Sequence, residues 1–380
     1  MTTSEQTGQV PVRAVYMRGG TSKGVFFVES DLPPPGEVRD RLLLSLMGSP
    51  DRYGRQLNGM GGGISSVSKI IIARASTRNG VDIEYIHGQV AVDRPVVDWS
   101  ANCGNLSSAV AQFAVEAGLA IAATDGEVLV KMVNLNSGMR VDSRFTMSGG
   151  KPRYDGNFEM PGVSDGGARV ALEYFMPHRP LFGSSQRTDV FEVDGRGIAC
   201  SIADATLPCV FLMAGDIGLD VSMTPSEIDT QEAGGLLLER LRCLGAVKIG
   251  LAADEASVPQ ASPKIGVIGA PVDYVALDGE PVSAKDYDIA IRMMSMGKAH
   301  KAVPLTAAMC LAAAALCEGS VPNSLVPDLK GTTVRLGTPS GIISVGAVLI
   351  GEGSALLAER TIVHATSRRL MAGEVYGSLN

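Results

Sequence analysis

The sequence predicts an α+β fold in two domains, and three observations carry that prediction. At 380 residues the chain exceeds what one hydrophobic core usually serves. Only 5% of residues are aromatic while 45 are glycine, so the core must be built from Val, Ile, Leu and Ala between tight turns. Short β-branched runs outnumber helical patterns, which gives a β-rich chain with a few helices.

In chain order, strands are predicted at Val12 to Met17, Val25 to Val28, Ile70 to Ala73, Val81 to Tyr85, Gln89 to Val92 and Val128 to Val133, each a run of β-formers bounded by turn residues. Arg169 to Tyr174, Val210 to Ala214, Ile265 to Ile268, Thr332 to Leu336 and Ala347 to Ile350 complete the set. Helices are predicted at about 37 to 47, after Cys103, at about 225 to 243 and at about 299 to 317.

Two helices share a design. Leu106 to Ala117, closed by Gly118, and Thr306 to Cys317, closed near Gly319, are apolar nearly all round, as a buried helix requires. Small-residue turns precede them: Asn102-Cys103-Gly104-Asn105 and Ser295-Met296-Gly297-Lys298. Two domains, each wrapped round one central helix, account for the repetition. Pro304 either opens the second helix or kinks it early. If the two helix starts face one another across a cleft, their fields add, and a polyanion is the ligand such a cleft suits.

A formal charge of −7 and a pI near 5.3, with no basic run, argue against a nucleic-acid partner. Met1 to Val10 is polar and lacks an apolar signal core, and the longest apolar run, Ala307 to Cys317, is too short to span a bilayer. The expectation is a soluble cytoplasmic protein with reduced thiols, no membrane partner, and a homodimer as a permitted assembly.

Three motifs carry chemistry. At Cys103 a thiol stands where a turn of short side chains opens an apolar helix; unpaired backbone N–H groups and partial positive charge collect there, and Gly104, Asn105 and Ser107 allow close approach. A carboxylate docks at such a place, and a cysteine there tends towards the thiolate. Cys200, Cys209, Cys310 and Cys317 sit in apolar runs and read as packing. No paired-cysteine zinc spacing occurs, and with four histidines no metal site is expected.

The second motif, Gly59-Met60-Gly61-Gly62-Gly63-Ile64-Ser65-Ser66-Val67-Ser68-Lys69, runs into a strand. It is not a phosphate loop, which needs Gly-Lys-Ser/Thr opening a helix. Lys69 abuts three isoleucines, so its stem is expected to enter the interior, where desolvation or a neighbouring cation lowers a lysine towards general-base range. The third motif, Met17-Arg18-Gly19-Gly20-Thr21-Ser22-Lys23-Gly24, offers a guanidinium, two hydroxyls and an ammonium, the donors that clamp carboxylates.

These motifs, with Gly48-Ser49-Pro50-Asp51, together resemble the PrpF family over nearly the whole chain. The resemblance implies a diaminopimelate epimerase-like fold: two pseudo-symmetric domains, each a curled sheet round a buried helix, with the site in the cleft between them. The expected division is 1–185, completed by about 362–380, and 186–361. It implies an isomerase without cofactor or metal, in a family that includes aconitate isomerases, 4-oxalomesaconate tautomerases and methylitaconate delta-isomerases. The substrate expected is a small unsaturated di- or tricarboxylate. Lys69 and Cys103 correspond to the lysine and cysteine at the reacting carbon. Tyr53-Gly54 and Asp98-Trp99-Ser100 look like the methylaconitate branch; Phe182-Gly183-Ser184-Ser185 and Asn58 depart from the family pattern.

On this reading Lys69 removes an allylic proton, and Gly104 and Asn105 with Ser65, Ser66 and Ser68 hold the dienolate charge. Arg18, Lys23, Lys298 and His300 are candidates for the remaining carboxylates, with Gly19, Thr21, Ser22, Asn102, Ser107, Ser295, Met296 and Gly297 completing the pocket. Cys103 is either a second acid/base or a positioning group. A binding protein without turnover, and a racemase with two paired cysteines, are the competing readings; Ser295-Met296-Gly297 stands where the second cysteine is expected.

Overall fold

The computed structural model describes residues 8–100, 103–176, 179–260, 262–295 and 297–379. In chain order the strands are β1 (Val10–Gly19), β2 (Ser22–Val28), β3 (Lys69–Ala75), β4 (Ile83–Val90), β5 (Val97–Asp98), β6 (Gly126–Asn134), β7 (Arg140–Ser148), β8 (Lys151–Pro152), β9 (Arg169–Phe175) and β10 (Asp189–Val193). They continue as β11 (Arg196–Asp204), β12 (Pro208–Met213), β13 (Lys264–Gly269), β14 (Tyr274–Val275), β15 (Pro281–Val282), β16 (Ile289–Ser295), β17 (Lys298–Ala299), β18 (Thr333–Thr338), β19 (Gly341–Ile350) and β20 (Leu357–Gly377). The helices are α1 (Glu37–Met47), α2 (Gly104–Glu116), α3 (Pro225–Asp229), α4 (Glu232–Lys248) and α5 (Leu305–Ala315). The chain divides into two compact units, 1–174 with 364–380, and 175–363.

The first unit is a closed barrel. Its strands pair in the cycle β1–β2–β3–β4–β6–β7–β9–β20 and back to β1, which leaves that ring without an open edge. Helix α2 fills the barrel, because its residues from Leu106 to Ala114 are all buried and Phe113 stacks on Phe26 of β2 at 5.5 Å. Ser107, Ser108 and Gln112 are the polar exceptions on this helix, and each makes a hydrogen bond. Outside the barrel, α1 lays Leu42, Leu43, Leu46 and Met47 on Val25, Phe27, Ile70 and Ile72. Gly48, at φ 74°, ends α1 in the left-handed conformation.

The second unit repeats the plan. Its sheet runs β10–β11–β12–β13–β16–β18–β19–β20. Leu181 donates to Leu356 and accepts from Asp204, joining the two ends of this sheet. Helix α5, with every residue from Ala307 to Ala315 buried, contacts β11, β12, β18 and β19. The α+β class with a curled sheet about an apolar helix is thus the architecture of each unit.

The structure corrects three details. The two strands expected at 81–85 and 89–92 are one strand, β4, because Gly88 is a packing glycine and not a break: a Cβ there would stand 2.8 Å from Ile70 and 3.0 Å from Trp99. The helix expected at 225–243 is two, since Thr224 and Glu227 form a capping box for α3 and α4 restarts at Glu232. Ser295 to Lys298 does not open a helix; Ser295 pairs with Lys298 as the end of a hairpin, with Gly297 at φ 78°. Helix α5 begins seven residues after Lys298, with Pro304 at its N-cap in an extended conformation, so this proline opens the helix and does not kink it.

Candidate active site

Strand alternation fixes which side chains meet α2. In β2, Ser22 and Gly24 share the face of Phe26, which packs on α2; in β3, Ile71 pairs with Phe26, so Lys69 shares that inner face. In β4 the same face carries Tyr85, whose hydroxyl lies 2.8 Å from Ser107 Oγ of α2, and therefore His87 and Gln89. Lys69 pairs with Gln89, and Gln89 with Asp98 of β5, so these three stand in one cross-strand row. Gly24 lies beside Lys69: a Cβ there would come within 2.7 Å of the Lys69 carbonyl oxygen and 3.0 Å of Leu106 Cδ1.

The start of α2 closes this end of the barrel. Cys103 is the N-cap, 7% exposed, with no side-chain cap, and its Sγ lies 4.0 Å from Ser22 Oγ. Among the described residues the amides of Gly104, Asn105 and Leu106 meet no acceptor, as the first turn of a helix dictates. The β1–β2 turn nests against them. A Cβ on Gly19 would meet the Asn105 carbonyl at 2.7 Å and one on Gly20 the Asn105 Oδ1 at 2.3 Å, while the Thr21 amide donates to that Oδ1 at 3.4 Å. Glycines 19 and 20 thus give the helix start room against the hairpin.

The amine of Lys69, on a half-buried side chain, donates to Gln89 Oε1. Gln89 is itself anchored, its Nε2 donating to the carbonyls of Ser65 at 3.1 Å and Ser68 at 2.9 Å. Behind the glycine loop Gln56, 1% exposed, donates to Ser49 Oγ and Ser68 Oγ, both at 2.8 Å, and accepts from the Gly63 amide at 2.9 Å. Neither glutamine stands out in the sequence, for no pattern of spacing marks a single amide side chain.

Several expected donors are committed elsewhere. Ser68 is fully buried and its hydroxyl donates to the Val90 carbonyl, so it has no proton to offer an oxyanion. Ser107 donates to the Cys103 carbonyl and accepts from Tyr85, whose phenol burial pushes up to about 12. The Tyr174 hydroxyl, also raised by burial, donates to the Gly104 carbonyl at 3.3 Å. Arg18 and Lys23 alternate to the opposite face of the hairpin from Ser22. There Arg18 donates to the Gly20 and Thr366 carbonyls, and burial, with Arg368 beside it, lowers its pKa. Lys23 Nζ sits 5.9 Å from the Tyr16 ring centroid. Ser65 is exposed and Ser66 half-buried in a 3-10 turn.

In the second unit, Ser295 accepts from Lys264, Lys298 and Gly297 are exposed, and His300 Nδ1 accepts from the Ala302 amide at 3.0 Å. Asn102 and Met296 lie outside the described residues. The packing cysteines are deeply buried; burial pushes Cys200 up to about 12 and raises Cys209 and Cys317 as well. Among the described residues no three His, Cys, Asp or Glu side chains gather as a metal site, and no helix is long and apolar enough to cross a membrane.

The first unit therefore brings an amine, a thiol and three helix-start amides to one end of one barrel. Such a set can dock a carboxylate on the amides and exchange a proton at a neighbouring carbon. A family model described as "PrpF protein" matches residues 9–378. The chain is 38% identical to a 2-methyl-aconitate isomerase of Shewanella oneidensis over 97% of each chain. It is 33% identical to a 4-oxalomesaconate tautomerase of Pseudomonas putida over 89% of each. A crystal structure of methylitaconate-delta-isomerase superposes with a TM-score of 0.87 at 32% identity, covering 98% of this chain and 96% of that one.

Proposed function

The chain belongs to the PrpF family, and from that premise we propose that it is an isomerase of unsaturated tricarboxylates, acting on 2-methylaconitate or aconitate by allylic proton transfer. The observation that carries this reading is the shared inner face of Lys69 and the helix start capped by Cys103. The relative of greatest identity named above acts, by its name, on 2-methylaconitate.

The substrate class has a C–H between a carboxylate and a C=C. Removing that proton spreads charge into a dienolate, whose oxygens need donors as the charge develops. Lys69 takes the proton onto Nζ. One substrate carboxylate lies on the amides of Gly104, Asn105 and Leu106, where the helix start favours negative charge. These amides, rather than Ser68 or Ser107, carry the dienolate, because both hydroxyls are already spent. Rotation about the former double bond and return of the proton to the same carbon gives cis-trans isomerisation. Return at the far end shifts the double bond, the outcome suited to a tautomerase or a methylitaconate-type isomerase. Cys103 Sγ, beside Ser22, flanks the carbon as a second acid/base or as a positioning group.

Proton NMR in deuterated water, run over cis-aconitate, 2-methylaconitate and a small set of unsaturated dicarboxylates, tests the reading. Vinyl or methylene signals should fade or move with the wild-type protein and stand still with Lys69→Ala, since removing a general base costs roughly 10²–10⁴-fold. A Lys69→Ala protein that keeps more than about a tenth of the rate removes Lys69 from the role. Binding of these acids without exchange makes the protein a tricarboxylate binder instead.

A further inference from the structure

We infer that Gln89 is the positioning residue of Lys69, setting the direction of its amine without touching substrate. The inference rests on the reading of Lys69 as the base. Three observations carry it. Gln89 stands directly opposite Lys69 in the β3–β4 ladder, on the inner face, and its Oε1 accepts from Lys69 Nζ. Both hydrogens of its amide are used by backbone carbonyls, of Ser65 and Ser68, so the amide is not able to turn over and Oε1 is left with the amine alone to face. Those two carbonyls belong to the segment that leads into Lys69, so one side chain ties both the loop and the amine it delivers.

The chemistry explains why an amide serves. A lysine has a flexible stem and three rotatable donors, and a proton abstraction needs its lone pair on the C–H axis. One N–H held by a fixed acceptor leaves the lone pair a narrow set of directions. A neutral acceptor directs the amine without adding the charge that would hold it protonated. Beside Lys69, Gly24 leaves the room that a side chain would take between the Lys69 carbonyl and Leu106 of α2.

The test compares wild type, Lys69→Ala, Gln89→Met and Gln89→Glu with whichever tricarboxylate the wild type isomerises. Methionine matches glutamine in length and accepts no useful hydrogen bond, so kcat should fall about thirtyfold or more while KM stays within about threefold, the signature of lost orientation. Glutamate keeps an acceptor towards the amine and adds a charge, at the loss of the two donations to the Ser65 and Ser68 carbonyls, so the acid limb of its kcat–pH profile should move upward by about one unit or more. The other ionisable groups on that face, Tyr85 and His87 of β4, Asp98 of β5, Tyr174 of β9 and Cys103 at the N-cap of α2, are the same in both proteins and do not produce the difference between them.

A Gln89→Met kcat within about threefold of wild type, a loss confined to KM, or an unmoved Gln89→Glu profile overturns the inference. If Gln89→Met fails to fold, the Gln89→Glu profile decides alone. A wild type inactive on every tricarboxylate, or an active Lys69→Ala, defeats the functional reading instead. An active wild type with a dead Lys69→Ala and an unaltered Gln89→Met defeats only the role given to Gln89.

Discussion

Replacing Gln56 by methionine should unfold the glycine loop more readily than any surface change nearby. Gln56 is 1% exposed and its side chain makes three hydrogen bonds: to Ser49 Oγ, to Ser68 Oγ and from the Gly63 amide. Methionine keeps the length and an unbranched stem, so neither a large cavity nor a new clash with the backbone at φ 53° is introduced. What is lost is polar. Each bond is worth about 0.5–1.5 kcal/mol, so three together set an expected destabilisation of about 2–4 kcal/mol. Ser49 and Ser68 keep their own donations, to the Ala91 and Val90 carbonyls, which limits the damage to lone pairs and one amide. Urea denaturation monitored by circular dichroism measures the change, as a lower midpoint at an unaltered slope. A difference below about 0.5 kcal/mol would mean that water replaces the amide without loss, and that Gln56 does not organise the loop.

Other outcomes follow from the same packing. Gly59→Ala puts a Cβ 2.2 Å from the Gly48 nitrogen and 2.3 Å from the Met47 carbonyl carbon. Backbone on both counts has to move, so a loss of about 2 kcal/mol or more is expected in thermal melts, and an unchanged melting temperature would contradict the packing of this loop on the end of α1. His364 is held below its ordinary pKa of 6.5, first by burial and second by Arg169. The unfolded chain therefore binds a proton that the folded one refuses, and stability drains away as pH falls below 6.5. His364→Gln should flatten that slope between pH 7 and 5 in urea midpoints; an equally steep slope would assign it to other groups.

The elements that the sequence makes plain are those whose physics is local. Helix α2 is legible because an apolar run follows four short turn residues and stops at a glycine, and α5 because nothing in it tolerates water. Strand β20 is hidden: Glu359, Arg360, Arg368 and Arg369 interrupt its hydrophobic pattern, and pairing with β1, β9 and β19 makes it one strand of 21 residues. Strand β7 is hidden for the same reason, since Asp142 and Arg144 sit in it paired with Arg140 and Glu173. At the candidate site, Cys103 and Lys69 are marked by their neighbours in sequence. The side chains that hold Lys69 and the loop before it are not, because Gln56 and Gln89 act across 12 and 20 residues, contacts that exist only once the strands are in register. The opposite face taken by Arg18 and Lys23 is hidden in the same way, because the packing of Phe26 on Phe113 is what fixes the alternation of the hairpin.

Strand β20 also dictates an order of events during synthesis. Residues 364–377 are the stave that seals the first barrel beside β1, yet every residue of the second unit, 175–363, leaves the ribosome before them. The nascent amino-terminal sheet must therefore wait with the pairing edge of β1 unprotected while the later, contiguous unit is translated and free to form. That interval exposes an edge prone to wrong partners, and chaperone demand in the cell should fall on the first half of the chain although it is made first.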